Sequence, residues 1–377
     1  MKDDLKEFRE RLDHTDRAII KALADRQQIV KQISELKRDH SGRIRDLQRE
    51  ESVLNKIRNI AKELNLDPSY AEDLYREIIT NSVRYQALSL IDQDNERAGS
   101  EKVRVSFQGG EGAFSHAAAL RHFGDRFDQV EPIGFNTFQQ AADALITKKV
   151  DYAILPIENT TAGSINDTYD ILGSDEVHIV GEEILRIVHC LMALEEIPLK
   201  NVRRVLSHPQ ALAQCTHFLS TMPDCEVVSY LDTALSAKKV AEDGDLSKAS
   251  IAGAQAADIY GLKVIASDIA NQKGNYTRFV VASRKPVKVD SQVPAKTSLL
   301  MVTSHEEGAL LKCLNILHTH KVNLAKLESR PRLNEPWHYS FYVDLEGNVE
   351  DPEISSALDE LNKECHELKV LGCYPKQ

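Results

Sequence analysis

DYAILPIENTTAGSIN, residues 151–166, opens as an apolar run and closes as a polar cluster. Tyr152 to Leu155 have the makings of a buried strand, and the run breaks at Pro156. Glu158, Asn159, Thr160, Thr161, Gly163, Ser164 and Asn166 then follow within nine positions. A buried strand ending in hydroxyls, amides and a carboxylate is how an open α/β sheet presents groups to a small polar ligand. The same residue types cap helices, so a capped strand-to-helix loop is the competing reading.

Strand and helix signals alternate on both sides of this stretch. Upstream, VRVSF (103–107) reads as a buried strand running into QGGEGAFSHAA, a glycine-rich turn that feeds a helix from Ala113 or Phe114. Its spacing is not that of the dinucleotide fingerprint, but glycines let a backbone approach a ligand and helix N-termini offer free amides to carboxylates. Helices are expected over 137–148 and 165–172. Val188 to Leu194 reads as a strand that opens a second lobe. There Val205 to Ser207 meets HPQALAQC, with a helix from Pro209, and further strand–helix pairs follow at 227–241 and 249–260. Val264–Ile265 and Phe279–Ala282 are expected to return to the first lobe. In NYTRFVVASR (275–284), Thr277 and Arg278 stand at the mouth of an apolar strand, a hydroxyl donor beside a cation. His116, His189 and His208 are read first as packing, capping or supporting groups.

At 377 residues, two or three domains are expected. The apolar fraction of 42% and charged fraction of 28% are those of a soluble globular protein, and the net charge of -11 argues against nucleic acid as the main partner. No apolar run is long enough to cross a bilayer, and the opening MKDDLKEFRERLD has no apolar signal core. All six cysteines lie beyond residue 189 without metal-ligand spacing. A cytoplasmic protein without metal or cofactor is the expectation.

The first 95 residues read as all helical. Leu5, Phe8, Leu12, Thr15, Ile19, Ala22, Arg26, Ile29, Ile33 and Leu36 recur at spacings of three and four. About 32 residues at 1.5 Å each span nearly 50 Å, too long an apolar stripe for a domain of this size to cover alone. A second copy of the chain is the expected cover. Arg26 interrupts the stripe with a charge that asks for an anion. Asp46, Arg49 and Glu50 share one face of a second helix, and Ser82 and Gln86 one face of a third.

The set Arg9, Arg26, Lys37, Arg45, Asp46, Arg49, Glu50, Ser82 and Gln86, in this order on helices, resembles the small helical chorismate mutase. The resemblance implies an intertwined dimer with Arg9, Arg26 and Arg49 on the substrate carboxylates, Arg9 coming from the partner chain. Lys37 and Gln86 would donate to the ether oxygen, Asp46 and Glu50 would hold the ring hydroxyl, and Ser82 would complete the chorismate site.

VSFQGGEGAFS, LPIENTTAGSI, SHPQALAQC and NYTRF together resemble prephenate dehydratase over essentially that whole domain. The resemblance implies a two-lobed fold like the type II periplasmic binding proteins and loss of carbon dioxide and hydroxide without a cofactor. Thr277 would assist hydroxide departure, and Arg278 would bind a carboxylate. Gln108, Gly109, Glu158, Asn159, Thr160 and Ser164 would line the same cleft.

Beyond residue 296 the strand–helix–strand–strand–helix–strand rhythm predicts a ferredoxin-like α+β domain. Its GAL (Gly308, Ala309, Leu310) and ESRP (Glu328, Ser329, Arg330, Pro331) words resemble the ACT regulatory domain, which implies phenylalanine bound at a subunit interface. Glu306 and Glu307 stand where many such domains carry proline, which changes loop stiffness and adds negative charge.

The expected organisation is therefore multidomain: a mutase domain at 1–95, a dehydratase domain at 102–284 and an ACT domain at 296–377, in a homodimer or higher homo-oligomer. Two alternatives stay open on sequence. The helical domain could serve only as a dimerisation module, or the two-lobed domain could bind a ligand without turnover.

Overall fold

The computed structural model describes residues 2–38, 47–92, 102–124, 126–127, 129–291, 293–332 and 335–377. Two compact units emerge, one formed by the first 98 residues with 289–294, the other by 99–288 with 295–377.

The first unit holds α1 (Lys2–Arg38), α2 (Leu47–Glu63) and α3 (Pro68–Asp92). At 37 residues α1 is longer than the expected 32. Proline at the first position of α3 fits, because that amide has no helical acceptor, and the Asp67 side chain accepts from Ser69 N at 2.9 Å. Between α2 and α3, Arg58 reaches Glu72 at 2.6 Å and Glu51 at 2.8 Å. Leu54, Ala61, Ala71, Ala87 and Leu88 bury with Val30 of α1. The expected stripe stays open within one chain: Phe8 is 61% exposed, Leu12 60%, Ile19 53% and Ile29 55%.

In the second unit the chain runs through β1 (Lys102–Gln108), α4 (Phe114–Phe123), β2 (Gln129–Phe135), α5 (Phe138–Ile146), β3 (Tyr152–Asn159), β4 (Gly163–Ser164), α6 (Asn166–Leu172) and β5 (His178–Arg186). It then passes to β6 (Cys190–Ala193), β7 (Arg204–Ser207), α7 (Pro209–Gln214), α8 (Thr216–Leu219) and β8 (Glu226–Ser229). Next come α9 (Thr233–Asp243), β9 (Lys248–Ala252), α10 (Ala254–Tyr260) and β10 (Lys263–Ala266), after which β11 (Tyr276–Ser283) follows. The first-lobe sheet has the order β2-β1-β3-β11-β5, and the second-lobe sheet β10-β6-β9-β7-β8. β10 therefore stays in the second lobe, pairing antiparallel with β6, and of the two strands expected to return only β11 does so. The two crossings between lobes are tied where Ile187 N donates to Asn275 O at 2.8 Å.

The last segment runs β12 (Ala295–Thr303), α11 (Ala309–Thr319), β13 (Asn323–Arg332), β14 (Glu335–Glu346), α12 (Pro352–Glu364) and β15 (Cys365–Pro375). These strands form an antiparallel sheet ordered β13-β14-β12-β15. This sheet and the first lobe share one core. Leu300, Tyr342, Leu371 and Tyr374 are buried together with Leu145, Leu155, Tyr169, Ile179 and Val280. At Gly372 a Cβ would lie 2.0 Å from Ile179 O, so glycine is what lets β15 lie against β5. Residues 102–284 and 296–377, expected as separate domains, thus pack as a single unit.

Candidate active sites

Both lobes feed one cleft of about 420 Å³. From the first lobe come Gln108, Ala113–Ser115, Asn136–Phe138, Pro156, Asn159, Ile165, Asp167, Thr277 and Phe279; the second contributes His208, Gln210, Ala211, Gln214, Asp232 and Thr233; Ile187 and His189 lie at the crossing. The residues lining it include no lysine or arginine. Positive field comes instead from helix N-termini: α4 begins at Phe114, α5 at Phe138, α7 at Pro209 and α9 at Thr233, each beside a lining residue. Thr137 and Asp232 cap α5 and α9 with side-chain oxygens, whereas Ala113, the N-cap of α4, has no side chain to do so.

Thr277 is 7% exposed at the start of β11, opposite Asn159 of β3 in an antiparallel pair. Asn159 Nδ2 donates to Thr277 Oγ1 at 2.9 Å and to Asn275 Oδ1 at 2.7 Å. Asn275 Nδ2 donates to Gln214 Oε1 at 3.0 Å, and Gln214 Nε2 donates to Thr161 Oγ1 at 2.8 Å. Thr161 Oγ1 closes the circuit by donating to Asn159 Oδ1 at 2.7 Å. This amide–hydroxyl circuit spans both lobes and holds the Thr277 oxygen as an acceptor, which leaves its proton for another partner.

Gln108, Asn159 and Thr277 line this cleft. Five other expected cleft residues do not. Arg278 lies on the opposite side of β11 from Thr277, as side-chain alternation along a strand requires. Its Nε donates to Glu182 at 2.8 Å, Nη1 to Asp344 at 2.5 Å and Nη2 to Tyr374 Oη at 2.8 Å. Burial opposes its charge, yet Tyr374, Asp344 and Glu182 hold its pKa well above the ordinary value. Lys296 Nζ adds a second cation 2.7 Å from Glu182.

Glu158 meets Lys326 at 2.8 Å, Ser164 Oγ donates to Glu328 at 2.6 Å, and Asp170 meets Arg330 at 3.0 Å. The partners are alternate residues of β13, so one face of that strand lies along the first lobe. Thr160 is exposed and secures the crossing instead: its Oγ1 accepts from Tyr276 N at 2.9 Å and donates to Gly274 O at 3.2 Å. Gly109 and Gly110 do not lend their amides to the cleft. Gly109 N donates to Phe135 O at 2.9 Å, and Gly110 N donates to Asp232 Oδ2 at 2.7 Å, which closes the turn on the second lobe.

Of the expected effector residues, Gly308, Ala309 and Leu310 line a separate cavity of about 440 Å³ with Glu306, Glu307, His338, Tyr339 and Phe341. Glu328 and Arg330 are elsewhere, on the β13 face described above, and Ser329 is exposed on the other face. Within one chain the two groups are not brought together.

In the helical unit, Arg26 Nη1 donates to Ser82 Oγ at 2.5 Å, joining α1 to α3. The Gln86 side-chain oxygen is buried without a hydrogen-bond partner among the described residues. Arg49 is exposed and Glu50 half-buried on α2, while Arg9 is exposed on α1. Asp46 and the Lys37 side chain lie outside the described residues.

His189, Gln214, Asp232 and Asn275 are the site residues that sequence reasoning missed. HPQALAQC reads as a helix start, and Gln214 follows His208 by six positions. Nothing local separates its amide from any exposed glutamine.

Comparison with known proteins matches residues 8–87 to chorismate mutase type II and residues 105–287 to prephenate dehydratase. The bifunctional chorismate mutase/prephenate dehydratase of Escherichia coli (strain K12) is 36% identical over 98% of this chain and 96% of its own length. That of Aquifex aeolicus (strain VF5) is 35% identical over 99% and 98%. Among solved structures, the prephenate dehydratase of Arthrobacter aurescens in complex with L-Phe is 29% identical, with a TM-score of 0.67 over 73% of this chain and 90% of that one. A quorum quenching acylase, GqqA, is 32% identical, with a TM-score of 0.66 over 73% of this chain and 98% of that one. With both domains matched in order and full-length relatives above 30% identity, the chain belongs to the bifunctional chorismate mutase/prephenate dehydratase family.

Proposed function

We propose that the chain carries out two successive steps of phenylalanine biosynthesis, rearranging chorismate to prephenate and then converting prephenate to phenylpyruvate. The observation that carries the second step is the buried Thr277 hydroxyl in the two-lobed cleft, its oxygen fixed by Asn159 at 2.9 Å. In that step the ring–carboxylate bond breaks and its electron pair enters the ring. The carbon–oxygen bond breaks with its pair on oxygen, which leaves as hydroxide and becomes water with a proton from solvent. A threonine hydroxyl is too weak an acid to give up its proton freely, so Thr277 acts as a positioned donor to the departing oxygen. The helix N-termini of α4, α5 and α7 suit the two carboxylates of prephenate in a cleft lined without cationic side chains.

The first step is pericyclic and needs neither nucleophile nor proton shuttle. A pocket that holds the reactive conformer and donates to the ether oxygen is enough. Arg26, Arg49, Lys37 and Gln86 are the groups assigned to this pocket, with Glu50, Asp46 and Ser82 beside them. Arg9 is assigned to the partner chain's pocket. The exposed stripe of α1 supports an intertwined dimer.

The C-terminal βαββαβ sheet supports assignment as an ACT domain, and the cavity behind Gly308 supports binding of phenylalanine as an effector. Glu328, Ser329 and Arg330 would reach an effector only across a subunit interface or after β13 leaves the first lobe. Among the described residues no helix is long and apolar enough to cross a membrane, and a cytoplasmic enzyme acting without cofactor is our reading.

Feeding chorismate to the purified chain, and following prephenate and phenylpyruvate separately with and without phenylalanine, tests all three assignments. Prephenate rising first, phenylpyruvate following, and phenylalanine slowing the second step is the expected course. Untouched chorismate with consumption of added prephenate would reduce the helical unit to a dimerisation scaffold.

A further inference from the structure

His189 lies at the crossing between the lobes, 3% exposed, and lines the cleft. Its Nε2 is 2.7 Å from Gln214 Oε1. That oxygen already accepts from Asn275 Nδ2, and the Gln214 amide nitrogen is spent on Thr161. Gln214 therefore presents an acceptor to His189, and the imidazole must carry its proton on Nε2. The other nitrogen, Nδ1, is left with a lone pair, buried and without a hydrogen-bond partner among the described residues. Phe114, whose ring meets the imidazole edge-on at 5.8 Å, restricts the ring's rotation. Burial also pushes the pKa of His189 below its ordinary value, against the Gln214 contact, which keeps the ring neutral.

A buried acceptor without a partner is costly and calls for a ligand donor. Prephenate carries its hydroxyl proton on the oxygen that leaves. We propose that His189 Nδ1 accepts the hydrogen bond of that hydroxyl and so turns an oxygen lone pair towards the Thr277 proton. The inference rests on the dehydratase reading and adds a substrate-contacting residue to it. His189 and Thr277 then make complementary contacts to one oxygen, acceptor and donor, and the amide circuit between them sets both.

Two substitutions separate the nitrogens. Asparagine places an acceptor near the Nδ1 position, whereas glutamine reaches the Nε2 position beside Gln214. His189→Asn is expected to keep kcat for prephenate within about tenfold of the unmodified chain, while His189→Gln and His189→Ala lose about 100-fold. Phenylpyruvate lacks the ring hydroxyl, so its inhibition constant should stay within about twofold in all three variants. A His189→Gln variant as active as His189→Asn would overturn the inference, since contact with Gln214 would then be what matters. Loss of phenylpyruvate affinity in step with activity would overturn it too, by pointing to a collapsed cleft. No turnover of prephenate by the unmodified chain would overturn the dehydratase reading itself, and the inference with it.

Discussion

Thr277 and Arg278 are neighbours in the chain and serve opposite sides of β11: Thr277 Oγ1 accepts from Asn159 at 2.9 Å beside the cleft, while Arg278 Nε donates to Glu182 at 2.8 Å beneath the C-terminal sheet. The strand that carries the proposed donor is thereby pinned from behind by Asp344 and Tyr374 of β14 and β15. A displacement of the C-terminal sheet has a direct route to the cleft through one residue.

Arg278→Gln removes one partner of a buried ion network whose acids stay behind. Such a loss costs about 3–5 kcal/mol, so the variant should unfold at a clearly lower urea midpoint. If Arg278 acts only from behind β11, the KM for prephenate should change less than about threefold in the variant molecules that remain folded. A large rise in KM at unchanged stability would return Arg278 to the substrate.

Thr277→Ala removes the hydroxyl, while Asn159 Nδ2 keeps its bond to Asn275 Oδ1 at 2.7 Å. Prephenate binding should hold within a fewfold while kcat falls by about 100- to 1,000-fold, the range for a single lost donor to developing charge. Thr277→Ser should recover much of this. Equal turnover by the alanine variant would take Thr277 out of the mechanism.

How much of this was legible in the sequence depends on distance along the chain. The strand from Tyr152, the helix from Pro209 and the long α1 follow from local periodicity and begin close to where they were expected. The strand, however, runs on through Pro156, where a break was expected, to Asn159. The face of β11 was equally legible in principle, since alternation alone separates Thr277 from Arg278, but two adjacent polar residues invite a shared role. Glu158 and Ser164 read as ligand groups because their partners, Lys326 and Glu328, lie more than 160 residues downstream. His189 precedes a buried strand and read as packing. Only the folded circuit of Gln214, Asn275 and Asn159 assigns its tautomer and exposes the orphaned nitrogen.

His116 offers a pH test within the same unit. Its Nδ1 accepts from Gly112 N at 3.1 Å in the glycine-rich turn, and burial lowers its pKa below the ordinary 6.5 despite the nearby Glu111. A lowered folded pKa means the unfolded chain binds the proton first, so stability is full above about 6.5 and falls as pH drops from there through the folded value. Unfolding the wild type and His116→Asn in urea at several pH values isolates this contribution. The wild type's stability relative to the variant should be constant above pH 7 and decline below 6.5. A flat difference across that window would assign His116 no linkage.

Gly109 sits at φ 111°, where a Cβ would lie 2.6 Å from Asp232 Oδ2. Gly109→Ala combines backbone strain with displacement of the carboxylate that Gly110 N holds across the lobes. More than about 1 kcal/mol of stability should be lost, together with a rise in KM as the lobes separate.

Arg26 decides whether the helical unit is an enzyme or a scaffold. It stands on a stripe where Phe8, Leu12, Ile19 and Ile29 are each more than half exposed in the single chain, so a dimer would cover it with them. A scaffold would gain from leucine there, because an apolar residue packs in such a seam and a lone cation does not. Arg26→Leu should therefore keep or tighten the dimer in sedimentation while mutase activity falls by about 100-fold or more, with prephenate turnover unchanged. Ile19→Glu should do the reverse to assembly, giving monomers that lose mutase activity because Arg9 of the partner chain no longer reaches the pocket. An Arg26→Leu protein that still rearranges chorismate at the wild-type rate would remove Arg26 from the site, and the Ser82 contact at 2.5 Å would then be a helix-packing bond alone.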